Sequence, residues 1–462
     1  MKQDRGMNID SCDVLIAGTG VAGLCCALNL PRSWRVVMLT KSEADKSDSF
    51  LAQGGICMLR GQDDFAGYFE DTMRAGHYEN DEAAVRQMIL RSPAMIDELI
   101  GCGVLFARDK EGGFRFTREG GHSRPRILFH DDVTGKEITS KLLAKVRQLP
   151  NVEICEHAEL LDIIVSEGAC RGGVVRGEDG SLCAVYAGYT LFATGGVGGL
   201  FEHSTNYRHL TGDALAIAMR RGVEVEHLDY VQIHPTTFYS EKHGRRFLIS
   251  ESVRGEGAVL LDKHGNRFCN ELLPRDIVTG EIRAQMKKDG TKFVWLDMRP
   301  VGAQTLREHF PTICARLWEE GYDVLKQPIP VVPAQHYFMG GVKVDLNGRT
   351  SMPRLYAAGE TACNGVHGKN RLASNSLLES LIWAELAAKD MAASGRQPVR
   401  AGALPDAAAG DAQIDAAAEG ALPDAAEGGA QIDAAAYADY AALKQNYADI
   451  IRQEAEREAT ID

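Results

Sequence analysis

The 462-residue chain carries 51 Lys and Arg against 64 Asp and Glu, a formal net charge of −13, with 45% hydrophobic and 25% charged residues. That length exceeds one core and points to two or three domains. The acidic balance excludes nucleic acid and anionic membrane surfaces as electrostatic partners. It is also uneven: residues 401–462 hold 13 acids and 3 bases, which puts −10 of the −13 there.

The opening stretch Met1–Asp13 has no apolar core of the kind a secretion signal needs, so a cytoplasmic protein is expected. Eleven scattered cysteines, with no Cys-x-x-Cys and no Cys/His cluster at zinc spacing, predict reduced thiols and no metal site. Val14–Leu30 reads as a strand running into Gly18-x-Gly20-x-x-Gly23 and then a helix. This pattern is a dinucleotide turn, and its three glycines make it a βα unit rather than a membrane span. A second strand, Arg35–Thr40, ends at Lys41, where many dinucleotide folds place an acid for the ribose; that weakens an NAD reading. A loop over 41–55 follows, then helical patterns near 64–75 and 81–102 and a loop over 112–126 rich in Gly, His and Arg. Residues 151–191 read as strands closing in Ala193-Thr-Gly-Gly196, where glycine lets backbone approach a ring system.

From about 230 to 335 helical and irregular segments are expected to dominate, rich in His, Arg and Pro. The dinucleotide pattern then resumes with Leu355-Tyr-Ala-Ala-Gly-Glu360 and a helix opening at Ser374-Asn-Ser-Leu-Leu378. Both ends of the chain thus read as one flavin site. The expected fold is α/β: a discontinuous Rossmann-like FAD-binding domain (1–227 and 338–395) with an inserted α+β capping domain (228–337). Residues 396–462 form a short C-terminal helical segment behind an acidic tandem repeat, ALPDAA at 403 and 421, AQIDAAA at 412 and 430. The repeat buries too little apolar surface to offset its ordering entropy, so a flexible linker is expected, a loosely packed helix being the alternative. Residues 437–458 have the periodicity of one helix.

A set of ordered motifs accompanies this layout: Ala52-Gln-Gly-Gly55, Arg118-Glu-Gly-Gly-His122-Ser, Gln232-Ile-His234-Pro-Thr, Arg254-Gly-Glu-Gly257, Pro274-Arg275-Asp276, His336-Tyr and Asn370-Arg371-Leu-Ala-Ser374-Asn-Ser. It resembles the succinate dehydrogenase/fumarate reductase flavoprotein superfamily, and residues 12 to about 392 look like its L-aspartate oxidase branch. The resemblance implies FAD, contacted by Gly18, Thr19, Gly20, Val21, Ala22, Gly23 and Lys41. It adds the run Asp48, Ser49, Phe50, Leu51, Ala52, Gln53, Gly54, Gly55, with Asp213, Glu360, Ser376 and Leu377. The run 48–51 lacks the histidine that links flavin covalently in the succinate dehydrogenase branch, so non-covalent FAD is expected. Ser376 and Leu377 open a helix whose positive end suits a reduced, anionic flavin.

The implied reaction is oxidation of L-aspartate to iminoaspartate, by hydride transfer to FAD that O₂ or fumarate reoxidises. It is the first step of NAD biosynthesis in that branch, with hand-over of the product to quinolinate synthase. Glu119 matches a glutamate placed for the substrate ammonium; a carboxylate there repels a plain dicarboxylate and makes sense only for a substrate with its own positive charge. His234, His336, Arg371 and Arg275 are the candidate carboxylate-binding groups, arginine for its bidentate fork and histidine as a donor. Arg275 also matches the residue tied to proton transfer, as a shuttle or a fixed charge, since its pKa above ~12 makes it a poor base. Ser250-Glu251 stands where relatives often have Thr-Glu, keeping the hydroxyl donor. His122, His203 and His367 read as mainly structural. The resemblance also implies a C-terminal three-helix domain that residues 396–462 shorten. A soluble fumarate reductase, or a non-catalytic flavoprotein, are the alternatives.

Overall fold

The computed structural model describes residues 9–242 and 244–399. The expected acidic linker and final helix lie outside the described residues. Strand Ser11–Ala17 sits within a seven-stranded sheet, parallel to Val36–Leu39 on one side and to Leu182–Phe192 on the other. Val14 and Ile16 face a core shared with helices Val21–Asn29 and Ser376–Ala393. Leu15 and Ala17 face a second core with Ala214, Ile217 and Phe338. Both faces of a parallel sheet are covered, which is why this strand reads as an unbroken apolar run rather than an alternation.

Leu182–Phe192 is long enough to take two partners on its far edge. Antiparallel Ala169–Arg176 lies along its first half and parallel Leu355–Ala357 along its second. The late strand therefore enters the sheet beside the early ones, and this places both ends of the sequence at one site. The glycine turn follows from the same crowding. A Cβ on Gly18, whose φ is +119°, would lie 1.9 Å from the Ala193 carbonyl oxygen, and one on Gly23 would lie 2.1 Å from the Gly18 oxygen.

A second sheet occupies residues 231–338. Its four antiparallel strands run in the order Val231–Phe238, Ile329–Phe338, Val294–Asp297, Val259–Leu261. It has its own apolar core, including Ile249, Leu260, Ile282, Leu296, Leu317 and Val331. Helical and irregular segments make up most of residues 230–335, as expected, but the sequence does not show where the sheet's strands lie. Its two longest strands contain Pro235, Pro330 and Pro333, and their pairing shifts register twice, around Gln232/Ile233 and between His234 and Thr237. They also carry Gln232, His234, Gln335 and His336, so the apolar alternation that marks a strand is broken.

All eleven cysteines are free; burial pushes the Cys26 thiol up to about 12. Among the described residues no helix is long and apolar enough to cross a membrane.

Gly18→Ala meets backbone at 1.9 Å, whereas Gly168→Ala, at φ +68°, meets nothing within 4 Å. Chemical denaturation should show a loss of at least ~3 kcal/mol for the first and only about 1–2 kcal/mol for the second.

Candidate functional site

One elongated cavity, with about 1590 Å³ of empty space including its open mouth, is lined from both sheets. Every residue assigned a site role from sequence reaches its wall except Gly23 and Phe50. Gly23 packs against the turn itself, and Lys136 Nζ stands 5.9 Å from the Phe50 ring centre.

At one end, Gly20 caps helix Val21–Asn29 with no side chain of its own, and the Val21 N–H donates to Ser49 Oγ at 3.2 Å. Lys41 Nζ lies 2.6 Å from Asp213 and donates to Thr211 Oγ1 at 3.0 Å, so the cation at the strand end is paired by an acid from the next layer. Asp48 accepts from the Tyr207 N–H at 3.0 Å through one oxygen; its other oxygen and Gln53 Oε1 are buried with no protein partner. Helix Ser376–Ala393 also starts without a side-chain cap, because Asn375 Oδ1 accepts from the Tyr68 hydroxyl at 2.7 Å instead. Glycine turn, two helix starts with no bond from an N-cap side chain and orphaned buried acceptors are the donor and acceptor set that a long dinucleotide with a pyrophosphate satisfies. The residues present fit FAD.

Glu360 accepts from the Phe338 N–H at 2.9 Å. Burial, then the nearby Asp48, raise its carboxyl, and burial likewise raises Asp48.

At the other end the charges are interlocked. Arg275 Nε donates to Glu251 at 2.5 Å and its Nη1 to Gln232 Oε1 at 2.7 Å. Arg371 Nε donates to the same amide oxygen at 3.2 Å, Arg371 Nη1 donates to Ser376 Oγ, and the guanidinium stacks 4.2 Å from the Tyr337 ring centre. Burial, then Arg275, lower the Arg371 pKa to about 10, so it stays charged at neutral pH. Burial alone would raise Glu251, but Arg275 and Arg254 outweigh it and hold this carboxyl low.

His234 is 1% exposed, and its Nδ1 accepts from the Thr236 N–H at 3.1 Å. Burial and then Arg275 push it well below the usual histidine range, so the ring is neutral and its proton sits on Nε2. That Nε2 has no protein partner, which leaves a donor for a ligand oxygen. His336 lies 5.1 Å away ring to ring, paired with Thr205 Oγ1 at 2.8 Å, and is held neutral by burial and then Arg371.

Glu119 is 4% exposed, not solvated. It accepts from Ser252 Oγ and Ser374 Oγ, each at 2.6 Å. Burial and then Glu251 raise its pKa, while the two hydroxyls lower it. Its loop is anchored by Arg126, fully buried, at 2.7 Å from Asp71 and 3.0 Å from Asp64. Arg126 also donates to His122 Nδ1 at 3.0 Å, and His122, lowered to about 4 chiefly by burial, donates from Nε2 to the Ala373 carbonyl at 3.0 Å.

Gln232, Ser252, Ser374 and Arg254 were not among the assigned site residues. Three of the four stand inside quoted motifs; Ser252 carries no sequence signal.

A carboxyl raised in the folded state costs stability as pH climbs from its unfolded pKa, ~4, through its folded pKa, and the loss is complete above that. Glu360→Gln should therefore raise the Tm of FAD-stripped protein more at about pH 8 than at about pH 5, read by thermal melts at both.

Residues 13–377 match a family model described as an FAD binding domain. The chain is 49% identical over 380 residues to the L-aspartate oxidase of Clostridium perfringens, a match spanning 82% of this chain and 86% of the relative. Identity is 45% over 386 residues to that of Clostridium acetobutylicum (83% and 88%) and 44% over 391 to that of Neisseria meningitidis (82% and 78%). A solved quinol fumarate reductase of E. coli superposes with TM-score 0.79 and 27% identity, over 97% of this chain and 78% of that one. By this extent of match, the chain belongs to the FAD-binding-domain family and, within it, to the L-aspartate oxidases.

Proposed function

We propose that this chain oxidises L-aspartate to iminoaspartate with non-covalent FAD, and that O₂ or fumarate completes the cycle. The observation that carries the reading is a buried carboxylate, Glu119, that no arginine among the described residues pairs directly and that accepts from two hydroxyls, beside the paired Arg275, Arg254 and Glu251. Such an anion inside a cationic pocket favours a ligand with two acid groups and one amine.

FAD supplies the acceptor for the α-carbon hydride. The chain supplies position and charge. Arg371, Arg275, the free Nε2–H of His234, His336 and Ser250 take the two carboxylates, and Glu119 takes the ammonium. Neutral histidines suit this task, because they donate without adding charge that would retain the product. Arg275, hydrogen-bonded to Glu251, serves as a fixed positive charge and proton conduit rather than as a base. Residues 228–337 act as a cap: their own sheet and core carry His234, Ser250, Glu251, Arg275 and His336 onto a cavity whose floor is the larger sheet. Lining His234 and His336 on adjacent strands fixes their spacing, which a loop could not do as well. A cytoplasmic location and hand-over of the unstable imine to quinolinate synthase complete the proposal.

Anaerobic mixing of the holoenzyme with L-aspartate should bleach the oxidised-flavin absorbance, and an unchanged spectrum would rule the reading out. Glu119→Gln should raise the KM for L-aspartate about tenfold or more while FAD content and fumarate binding persist. Arg275→Leu should retain FAD and lose at least about a hundredfold in kcat; near-full turnover would remove Arg275 from the chemistry.

A further inference from the structure

Ser252 lies between two groups that face different parts of the substrate. Its Oγ donates to Glu119 Oε1 at 2.6 Å and accepts from Ser250 Oγ at 3.2 Å, and its backbone N–H donates to Ser250 Oγ at 3.3 Å. All three residues are buried. Ser250 caps the start of the short helix Glu251–Gly255 and Ser252 sits in its first turn, whereas Glu119 comes from a loop 133 residues earlier.

We infer that Ser252 is a positioning residue that sets amine specificity, by orienting Glu119 and tying it to Ser250, whose hydroxyl donates to that of Ser252. This rests on the reading of Glu119 as the ammonium partner. The geometry gives the reason. A carboxylate has about four acceptor sites, and the two serines fill one on each oxygen, which fixes the plane of the group and leaves the remaining lone pairs for an ammonium. Ser374 holds the other oxygen from the opposite wall and stands at φ +63°, so it cannot shift to follow a displaced Glu119 without leaving a constrained backbone. Ser252 is the only one of the two clamps that also touches Ser250.

The anionic form matters as much as the orientation. Glu251 opposes the charge of Glu119, Arg275 and Arg254 favour it, and the neighbouring Cys57 thiol is held neutral by burial. Removing one hydroxyl donor shifts this balance toward the protonated acid, so the group ionises only at higher pH. A protonated Glu119 no longer attracts an ammonium but also no longer repels a plain dicarboxylate.

The test compares ligands with and without the amine on FAD-loaded enzyme. In Ser252→Ala the KM for L-aspartate should rise about tenfold, and the acid limb of kcat/KM should move to higher pH. The inhibition constant of succinate, which lacks the amine, should stay within about twofold or tighten. Ser252→Thr, which keeps the hydroxyl, should restore both the KM and the pH profile. Equal weakening of aspartate and succinate would show a merely structural role for the helix and overturn the inference, as would no change in either. Failure of the unmodified enzyme to turn over L-aspartate would instead overturn the underlying reading, so the two failures are separable.

Discussion

A guanidinium and a carboxylate can be buried together only when their remaining donors and acceptors are satisfied, and the site depends on how Arg275 and Glu251 meet that condition. Gln232 is the joint. Its amide oxygen takes hydrogen bonds from Arg275 and Arg371, and its nitrogen donates to Asn370 Oδ1 at 2.7 Å and to the Arg371 carbonyl at 2.8 Å. A neutral amide between two like charges keeps them apart without adding a third. It also ties the strand Val231–Phe238 of the smaller sheet to the segment that leads into helix Ser376–Ala393 of the larger unit. The same four side chains therefore fix the pocket's charge and the contact between the two units that form it.

The loop bearing Glu119 is held by comparable means. A fully buried Arg126 gives its donors to both Asp64 and Asp71, and removal of either leaves buried guanidinium N–H groups without a partner at a cost of roughly 1–3 kcal/mol. His122, neutral because it is buried, completes the chain to the Ala373 carbonyl, one residue from Ser374. Glu119 is thus clamped between its own anchored loop and the segment carrying Arg371 and Ser374. A carboxylate meant to read one atom of a small ligand gains from such support, because a shift of about 1 Å weakens the interaction severely.

Sequence reveals those features that obey local rules. The Gly18–Gly23 turn is legible because crowding by the Ala193 carbonyl and by its own helix excludes side chains, and that demand leaves glycine at fixed spacing. The return of the late strand Leu355–Ala357 is legible through its own Gly-Glu ending. The smaller sheet is not, because Gln232, His234, Gln335 and His336 interrupt its apolar residues and three prolines fall within its strands. Gln232 and Ser252 escape for a different reason. Nothing in an amide or a hydroxyl marks it as a joint until folding brings partners 139 and 133 residues away within hydrogen-bond reach. The burial of Glu119 is not legible either, since it stands in a loop and is yet only 4% exposed.

The charges of the inner pocket themselves select among ligands. Arg254, Arg275 and Arg371 face Glu119 and Glu251, while burial keeps His234 and His336 neutral, so this interacting set carries one net positive charge. An amino dicarboxylate with a charged ammonium has a net charge of minus one and neutralises it; a plain dicarboxylate leaves an excess negative charge beside buried carboxylates. Protonation of Glu119 reverses the preference, since the set then carries two positive charges and matches a dianion. Glu119 is the acid of this set that burial and then Glu251 push up while two hydroxyls pull it down, whereas Glu251 is held low by Arg275 and Arg254.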